Sequence, residues 1–183
     1  MNTPVLGFAA FSGTGKTTLL KSLIPLLKQA GLKVGAIKHS HHGFEVDQPG
    51  KDSFELRAAG ATPVMITSSK RRAIITERET PQEPRLADEL AHFDAAGLDL
   101  ILVEGFKHER YPKIELHRTA LSKPLLFAED DSIIALATDG ATFPGSVPIP
   151  RLDINDPRQI ADFILDWLRM RSGSNQPLRP ETP

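Results

Sequence analysis

The strongest chemical signal in the sequence is the run AFSGTGKTT at residues 10–18. Its glycines let the backbone curl so that successive N–H groups point into one concavity, a geometry that binds phosphate oxygens. Lys16 would reach the β- and γ-phosphates of a nucleotide, and the Thr17 hydroxyl would ligate Mg²⁺. The run therefore predicts a P-loop, whose phosphate-binding residues would be Ser12, Gly13, Thr14, Gly15, Lys16, Thr17 and Thr18.

The loop departs from the general P-loop pattern at one position. The full pattern begins with glycine, and this chain has Ala10 there. Alanine adopts only negative φ at low cost, so we expect the first bend of the loop to be adapted to that residue. The alternative is a Gly/Ser-rich connection with a chance lysine. The order of strand, loop, GKT and amphipathic helix argues against it.

Short apolar runs alternate with helical patterns around this loop. Strands are predicted at 5–11, 33–38, 98–103, 113–116 and 133–138, and helices at 16–30, 51–59, from Leu86 to Gly97, and after the Asp156-Pro157 cap. The runs 64–68 and 73–77 predict a hairpin. This order predicts an α/β fold of the P-loop NTPase kind, a mainly parallel sheet with helices on both faces and a small β-hairpin extension. Residues 1–171 would form the nucleotide-binding domain, and the proline-rich residues 172–183 a disordered tail.

Ligands bind beyond the carboxyl ends of parallel strands, which selects further candidates. Glu104 closes an apolar strand and would hold Mg²⁺ directly or through water, together with Thr17. Asp139 follows another strand and could accept hydrogen bonds from guanine, although a turn-forming role before Gly140 explains it equally well. Asp47 lies in a polar segment and could position water or Mg²⁺. We therefore take Lys16, Asp47 and Glu104 as the candidate catalytic residues.

A cluster of histidines raises a separate metal question. His39, His41 and His42 lie close together, and Glu45 or Asp47 could complete a zinc or nickel site. The simpler interpretation is a switch-like loop whose imidazoles contact phosphate or a partner.

Composition restricts the classes of protein that remain. Twenty-two basic and 23 acidic residues give a net charge of −1, so any anion must be held by a local site, and no nucleic-acid or membrane partner is expected. Cysteine is absent, which excludes disulfides and cysteine-ligated metals. No membrane-length apolar run and no export signal are present, so we expect a cytoplasmic protein.

The segments AFSGTGKTTLLKSLIPLL, IKHSHHGFEVDQPGKDSFELRAAGA, LDLILVEGFKHERYPKIEL and LDINDP resemble the family of molybdopterin-guanine dinucleotide biosynthesis adapter proteins, MobB. The resemblance covers residues 4–171. It implies a homodimeric protein that binds GTP and Mg²⁺ at the P-loop and has weak GTPase activity. It also implies a partnership with the guanylyltransferase that attaches GMP to molybdopterin, and leaves contact with molybdopterin and the molybdenum insertion enzyme open.

Other functions stay open at this point. A small-molecule kinase would use the same loop, and a nickel-insertion metallochaperone GTPase would use the histidine cluster. A pure interaction module would hold nucleotide without needing its chemistry. No residue is clearly an arginine finger, which in trans raises rates by roughly 10³–10⁵, so at most slow hydrolysis by the isolated chain is expected.

Overall fold

The computed structural model describes residues 3–40, 43–140 and 146–173. The elements in chain order are β1 (Val5–Ala9), α1 (Lys16–Gln29), β2 (Val34–Lys38), α2 (Asp52–Ala58), β3 (Val64–Thr67), β4 (Arg72–Ile75), α3 (Leu86–His92), β5 (Leu100–Glu104), β6 (Lys113–His117), β7 (Ile133–Thr138), β8 (Arg151–Asp153) and α4 (Pro157–Ser172). Among the described strands, six form a parallel sheet in the order β2-β5-β1-β6-β7-β8. The predicted parallel α/β fold is confirmed.

The core has two parts, one on each face of this sheet. Helices α1 and α4 pack on one face, where Leu23 and Ile164 are fully buried with Leu102 of β5. Helix α3 covers the other face, where Leu86 packs with Val103. Successive β5 residues therefore point to opposite cores, which explains why this strand is apolar without interruption.

Strand β6 carries a buried row of polar side chains on alternate residues. Lys113 is fully buried, pairs with Asp130 at 2.7 Å, and donates to the carbonyl oxygens of Lys107 and Glu109. Glu115 accepts from the amides of residues 126 and 127, and His117 contacts the carbonyl oxygen of residue 123. These bonds attach the loops on either side of β6 to the sheet.

Residues 40–84 form a compact unit of their own, and residues 1–39 and 85–183 form the other unit of the chain. Within the smaller unit, β3 and β4 form the predicted antiparallel hairpin. Arg57 of α2 forms ion pairs with Glu45 (2.8 Å) and Glu77 (2.5 Å). The single domain expected over residues 1–171 stays a prediction.

Two local expectations need correction. The helix beginning at Leu86 ends at His92 rather than at Gly97, because the Asp94 side chain accepts from the Ala96 amide and forms a competing turn. Strand β8 is the second difference, since the sequence pattern does not predict it.

The C-terminal helix α4 begins as predicted. The Asp156 side chain accepts from the amides of Arg158 and Gln159 and so caps the helix. The helix extends to Ser172, and residues 174–183, most of the expected tail, lie outside the described part. No helix in the described ranges is long and apolar enough to cross a membrane.

Candidate functional site

The loop between β1 and α1 presents a concave backbone at the carboxyl edge of the sheet. Gly13 and Gly15 have φ values of 83° and 96°, which glycine adopts at little cost. Ala10 is not among the residues with positive φ, so alanine fits the first bend without strain. Helix α1 begins at Lys16, and no side chain caps its first amides in the described part of the chain. The loop and helix end therefore direct amide groups toward one place.

Lys16 lies across this loop. Its Nζ donates to the carbonyl oxygens of Ala10 at 3.1 Å and Phe11 at 3.3 Å. Burial lowers the pKa of the Lys16 ammonium; Glu104 opposes that change, and the like charges of Lys107 and Lys38 add to it. Several positive charges thus converge where an anion would be stabilised.

Thr17 and Glu104 come together beside the loop. Thr17 Oγ1 lies 3.3 Å from Glu104 Oε1 and 3.5 Å from Oε2, and Lys38 Nζ lies 3.7 Å from Oε1. The Glu104 side chain is 16% exposed. Parallel pairing explains the convergence, because Glu104 is in register with both Phe8 of β1 and Lys38 of β2. A hydroxyl and a carboxylate form the hard oxygen donor set that suits Mg²⁺.

The backbone after Glu104 turns sharply against His39. Gly105 has a φ of 104°, and a Cβ built on it would lie 2.6 Å from the His39 Cβ. The His39 ring stacks on Phe106 with centroids 4.7 Å apart. His41 and His42 lie outside the described residues, and within those residues no cluster of three metal-ligating side chains occurs. The alternative of a zinc or nickel site at this cluster is therefore untested.

Asp139 holds the backbone that follows β6. Its Oδ1 accepts from the Thr119 amide at 2.9 Å and from the Thr119 hydroxyl at 3.0 Å, and its Oδ2 accepts from Arg118 at 3.3 Å. The Thr119 amide is the main cause of the lowered pKa of the Asp139 carboxyl, and the Thr119 hydroxyl and Arg118 add to it. The guanine-reading role stays a prediction.

Arg118 is a residue that sequence reasoning missed. Its guanidinium donates to the Thr14 carbonyl oxygen of the loop at 3.3 Å and to Asn155 Oδ1 at 3.0 Å. Because Arg118 directly follows β6, the rule that selected Glu104 and Asp139 at strand ends would also have found it.

Asp47 belongs to the unit formed by residues 40–84. Its Oδ1 accepts from the Gln48 amide at 2.9 Å. Its Oδ2 is shielded from solvent and has no hydrogen-bond partner among the described residues. Buried carboxylate oxygens are usually hydrogen-bonded, so this oxygen is an exception within the described residues.

Comparison with known proteins identifies the family. The protein-family model described as "Molybdopterin guanine dinucleotide synthesis protein B" matches residues 5–139 of this chain. The chain belongs to the MobB family. It is 47% identical to the molybdopterin-guanine dinucleotide biosynthesis adapter protein of Escherichia coli K12, over 93% of this chain and 96% of that protein. Identity to the Haemophilus influenzae adapter protein is 45%, over 93% of each chain.

Solved MobB structures share the fold. A crystal structure of molybdopterin-guanine biosynthesis protein B matches with a TM-score of 0.69 and 26% identity, over 90% of this chain and 99% of that one. The Bacillus stearothermophilus MobB homologue matches with a TM-score of 0.67 and 24% identity, over 91% and 99% of the two chains. The second likeness concerns the fold alone.

Proposed function

We propose that this MobB-family chain binds GTP with Mg²⁺ at the β1–α1 loop. In this proposal it acts as an adapter for the guanylyltransferase that attaches GMP to molybdopterin. The observation that carries the nucleotide part is the contact between Thr17 and Glu104 beside an uncapped helix N-terminus. Guanine is favoured over adenine by the family's link to a guanine dinucleotide.

The loop residues fit a chain of phosphates. The uncapped first amides of α1 and the concave backbone at Gly13 and Gly15 supply N–H donors, and Lys16 supplies a charged donor within reach of the same loop. The Thr14 hydroxyl donates to the Phe11 carbonyl oxygen at 2.8 Å and is therefore engaged within the loop, whereas the Thr14 amide makes only a long contact of 3.4 Å to the same oxygen.

Thr17 and Glu104 also fit Mg²⁺. A bound Mg²⁺ would neutralise charge on the β- and γ-phosphate oxygens. Thr17 would be its ligand, and Glu104 would hold it directly or through water. The role of Asp47 in positioning water or the metal stays a prediction, because Asp47 belongs to the other unit of the chain.

The chain's own residues favour at most slow hydrolysis. Lys16 would stabilise phosphate charge, Glu104 would orient the metal end, and Asp47 would orient water. Catalysis at this level fits an adapter that holds GTP rather than an enzyme that turns it over rapidly.

The homodimer is part of the proposal. Met65 and Ile74 are directly paired across the β3–β4 hairpin and are 56% and 55% exposed. Large contiguous exposed apolar patches mark contacts between chains, and this pair would form part of such a patch in the proposed dimer. The guanylyltransferase, molybdopterin and the molybdenum insertion enzyme stay proposed partners, and the cytoplasmic location stays a prediction.

Lys16→Ala tests the nucleotide site, with Lys21→Ala on the exposed face of α1 as the matched control. Loss of charge-assisted hydrogen bonds to phosphate, about 1.5–3 kcal/mol, weakens GTP binding by roughly 10- to 100-fold. Calorimetry with Mg²⁺ would measure the affinity, and the control should bind as the wild type does. GTP binding by Lys16→Ala at wild-type affinity would contradict the proposal.

A further inference from the structure

A cleft of about 420 Å³ lies at the carboxyl ends of β7 and β8. Its lining includes Asp139, Arg151, Asp153, Asn155 and Gln159. Its volume falls in the range of small-molecule sites, ~300–1,000 Å³. No site role was predicted for the last four of these residues, although Asp153 and Asn155 lie in the LDINDP segment.

The sheet order places this cleft and the Thr17–Glu104 pair on opposite sides of the phosphate loop. The loop follows β1; Glu104 ends its neighbour β5 on one side, whereas β6, β7 and β8 lie on the other. Arg118 connects the loop with the cleft, since one guanidinium donates to both Thr14 O and Asn155 Oδ1. A ligand with phosphates on the loop and metal near Glu104 therefore has this cleft within reach of its other end.

The cleft offers one carboxylate oxygen and two amide groups for recognition. Asp153 Oδ1 accepts from the Asn155 amide at 2.7 Å, and its Oδ2 has no partner in the described part of the chain. The side-chain oxygens of Asn155 and Gln159 accept from Arg118 and from the Asp153 amide. Those contacts fix the oxygen ends of both amides and leave their NH₂ groups without a partner within the described ranges.

Asp139, the other carboxylate of the cleft, is already engaged. Its Oδ1 accepts two hydrogen bonds from Thr119 and its Oδ2 accepts one from Arg118. To bind the N1–H and N2–H₂ edge of guanine, both oxygens must accept in the carboxylate plane, so these contacts would have to be rearranged. Within the described residues only Oδ1 of Asp153 is engaged, by the Asn155 amide, so a bidentate contact needs Oδ1 to accept a second hydrogen bond and leaves Oδ2 free to accept without rearrangement.

We infer that the cleft is a purine pocket in which Asp153 accepts from guanine N1–H and N2–H₂, while the Asn155 and Gln159 amides donate toward O6 and N7. This inference rests on the proposed GTP binding. Adenine would present an acceptor at N1 and no amino group at C2, so the same carboxylate would disfavour it.

Asp153→Asn tests the assignment with a reversal of specificity. Asparagine keeps the oxygen that accepts from the Asn155 amide, so the turn should be preserved. Its NH₂ faces the guanine amino group unfavourably but can donate to the C2 carbonyl of xanthine. A bidentate base contact is worth about 1–3 kcal/mol, so calorimetry should show GTP binding weakened by roughly 5- to 150-fold and xanthosine triphosphate binding strengthened.

The same change at Asp139 distinguishes the two carboxylates. Asp139→Asn is expected to gain no affinity for xanthosine triphosphate, and a gain there but not in Asp153→Asn would overturn the inference. If the wild type prefers GTP to ATP and a folded Asp153→Asn variant keeps the same nucleotide preference, the assignment of Asp153 is wrong. The proposed binding of GTP would stand in that case. A wild type that binds GTP and ATP equally would overturn the proposed guanine specificity as well.

Discussion

Gly105→Ala is expected to destabilise the chain more than an ordinary glycine substitution does. Gly105 has a φ of 104°, and an added Cβ would lie 2.6 Å from the Cβ of His39. Positive φ costs an L-residue roughly 1–2 kcal/mol. The overlap adds about 1–3 kcal/mol, since both Cβ atoms are fixed to backbone and cannot rotate away. The expected loss in the free energy of unfolding is about 2–5 kcal/mol.

Gly97→Ala is the matched control. Gly97 also has positive φ, 72°, but an added Cβ would meet nothing within 4 Å. Only the backbone term of roughly 1–2 kcal/mol applies there. Denaturant unfolding can be followed by the fluorescence of Trp167, the single tryptophan, which is 8% exposed in the main core. Equal destabilisation of the two variants would refute the steric reasoning about the turn after Glu104.

Two further predictions concern ion pairing and the metal. Asp130→Ala should lower the free energy of unfolding, measured with heat or denaturant, by about 3–5 kcal/mol, because it leaves the buried Lys113 ammonium unpaired. Adding Lys113→Met to the Asp130→Ala chain should recover part of this loss. An Asp130→Ala variant as stable as the wild type would contradict the prediction. Burial alone would raise the pKa of the Asp130 carboxyl, but hydrogen bonds from Lys113 and Ser132 lower it below the ordinary value. The stability from this pair is therefore present above about pH 4 and lost as pH falls through the lower folded pKa, a decline that Asp130→Asn should reduce. Glu104→Gln should reduce the Mg²⁺ dependence of GTP affinity, measured by calorimetry, by roughly 10-fold or more. The control is Glu129→Gln at an exposed position, which should leave the Mg²⁺ dependence as in the wild type. Equal Mg²⁺ dependence in the two variants would contradict the role of Glu104.

Local signals allowed much of the fold to be predicted. The β1–loop–α1 unit and the cap of α4 by Asp156 depend on residues close in sequence, and both appear as expected. The contact between Thr17 and Glu104 was expected, because the carboxyl ends of parallel strands lie at one edge of the sheet. The predicted nucleotide and metal roles of these residues are not tested by that contact.

Features that depend on distant partners could not be predicted. Nothing near Lys113 indicates that a lysine is buried, since its partner Asp130 lies across a loop and two backbone carbonyls complete its bonds. The cleft beside β8 likewise depends on separate strand ends converging, whereas Arg118, which directly follows β6, could have been found by the strand-end rule. A strand of three residues carries too little alternation to be recognised in the sequence.

Calorimetry of the wild-type chain with GTP and ATP, each with and without Mg²⁺, tests the central claim most directly. The account predicts micromolar binding of GTP that requires Mg²⁺, with no response to ATP. Equal affinity for both nucleotides, or no binding of GTP in the presence of Mg²⁺, would contradict it.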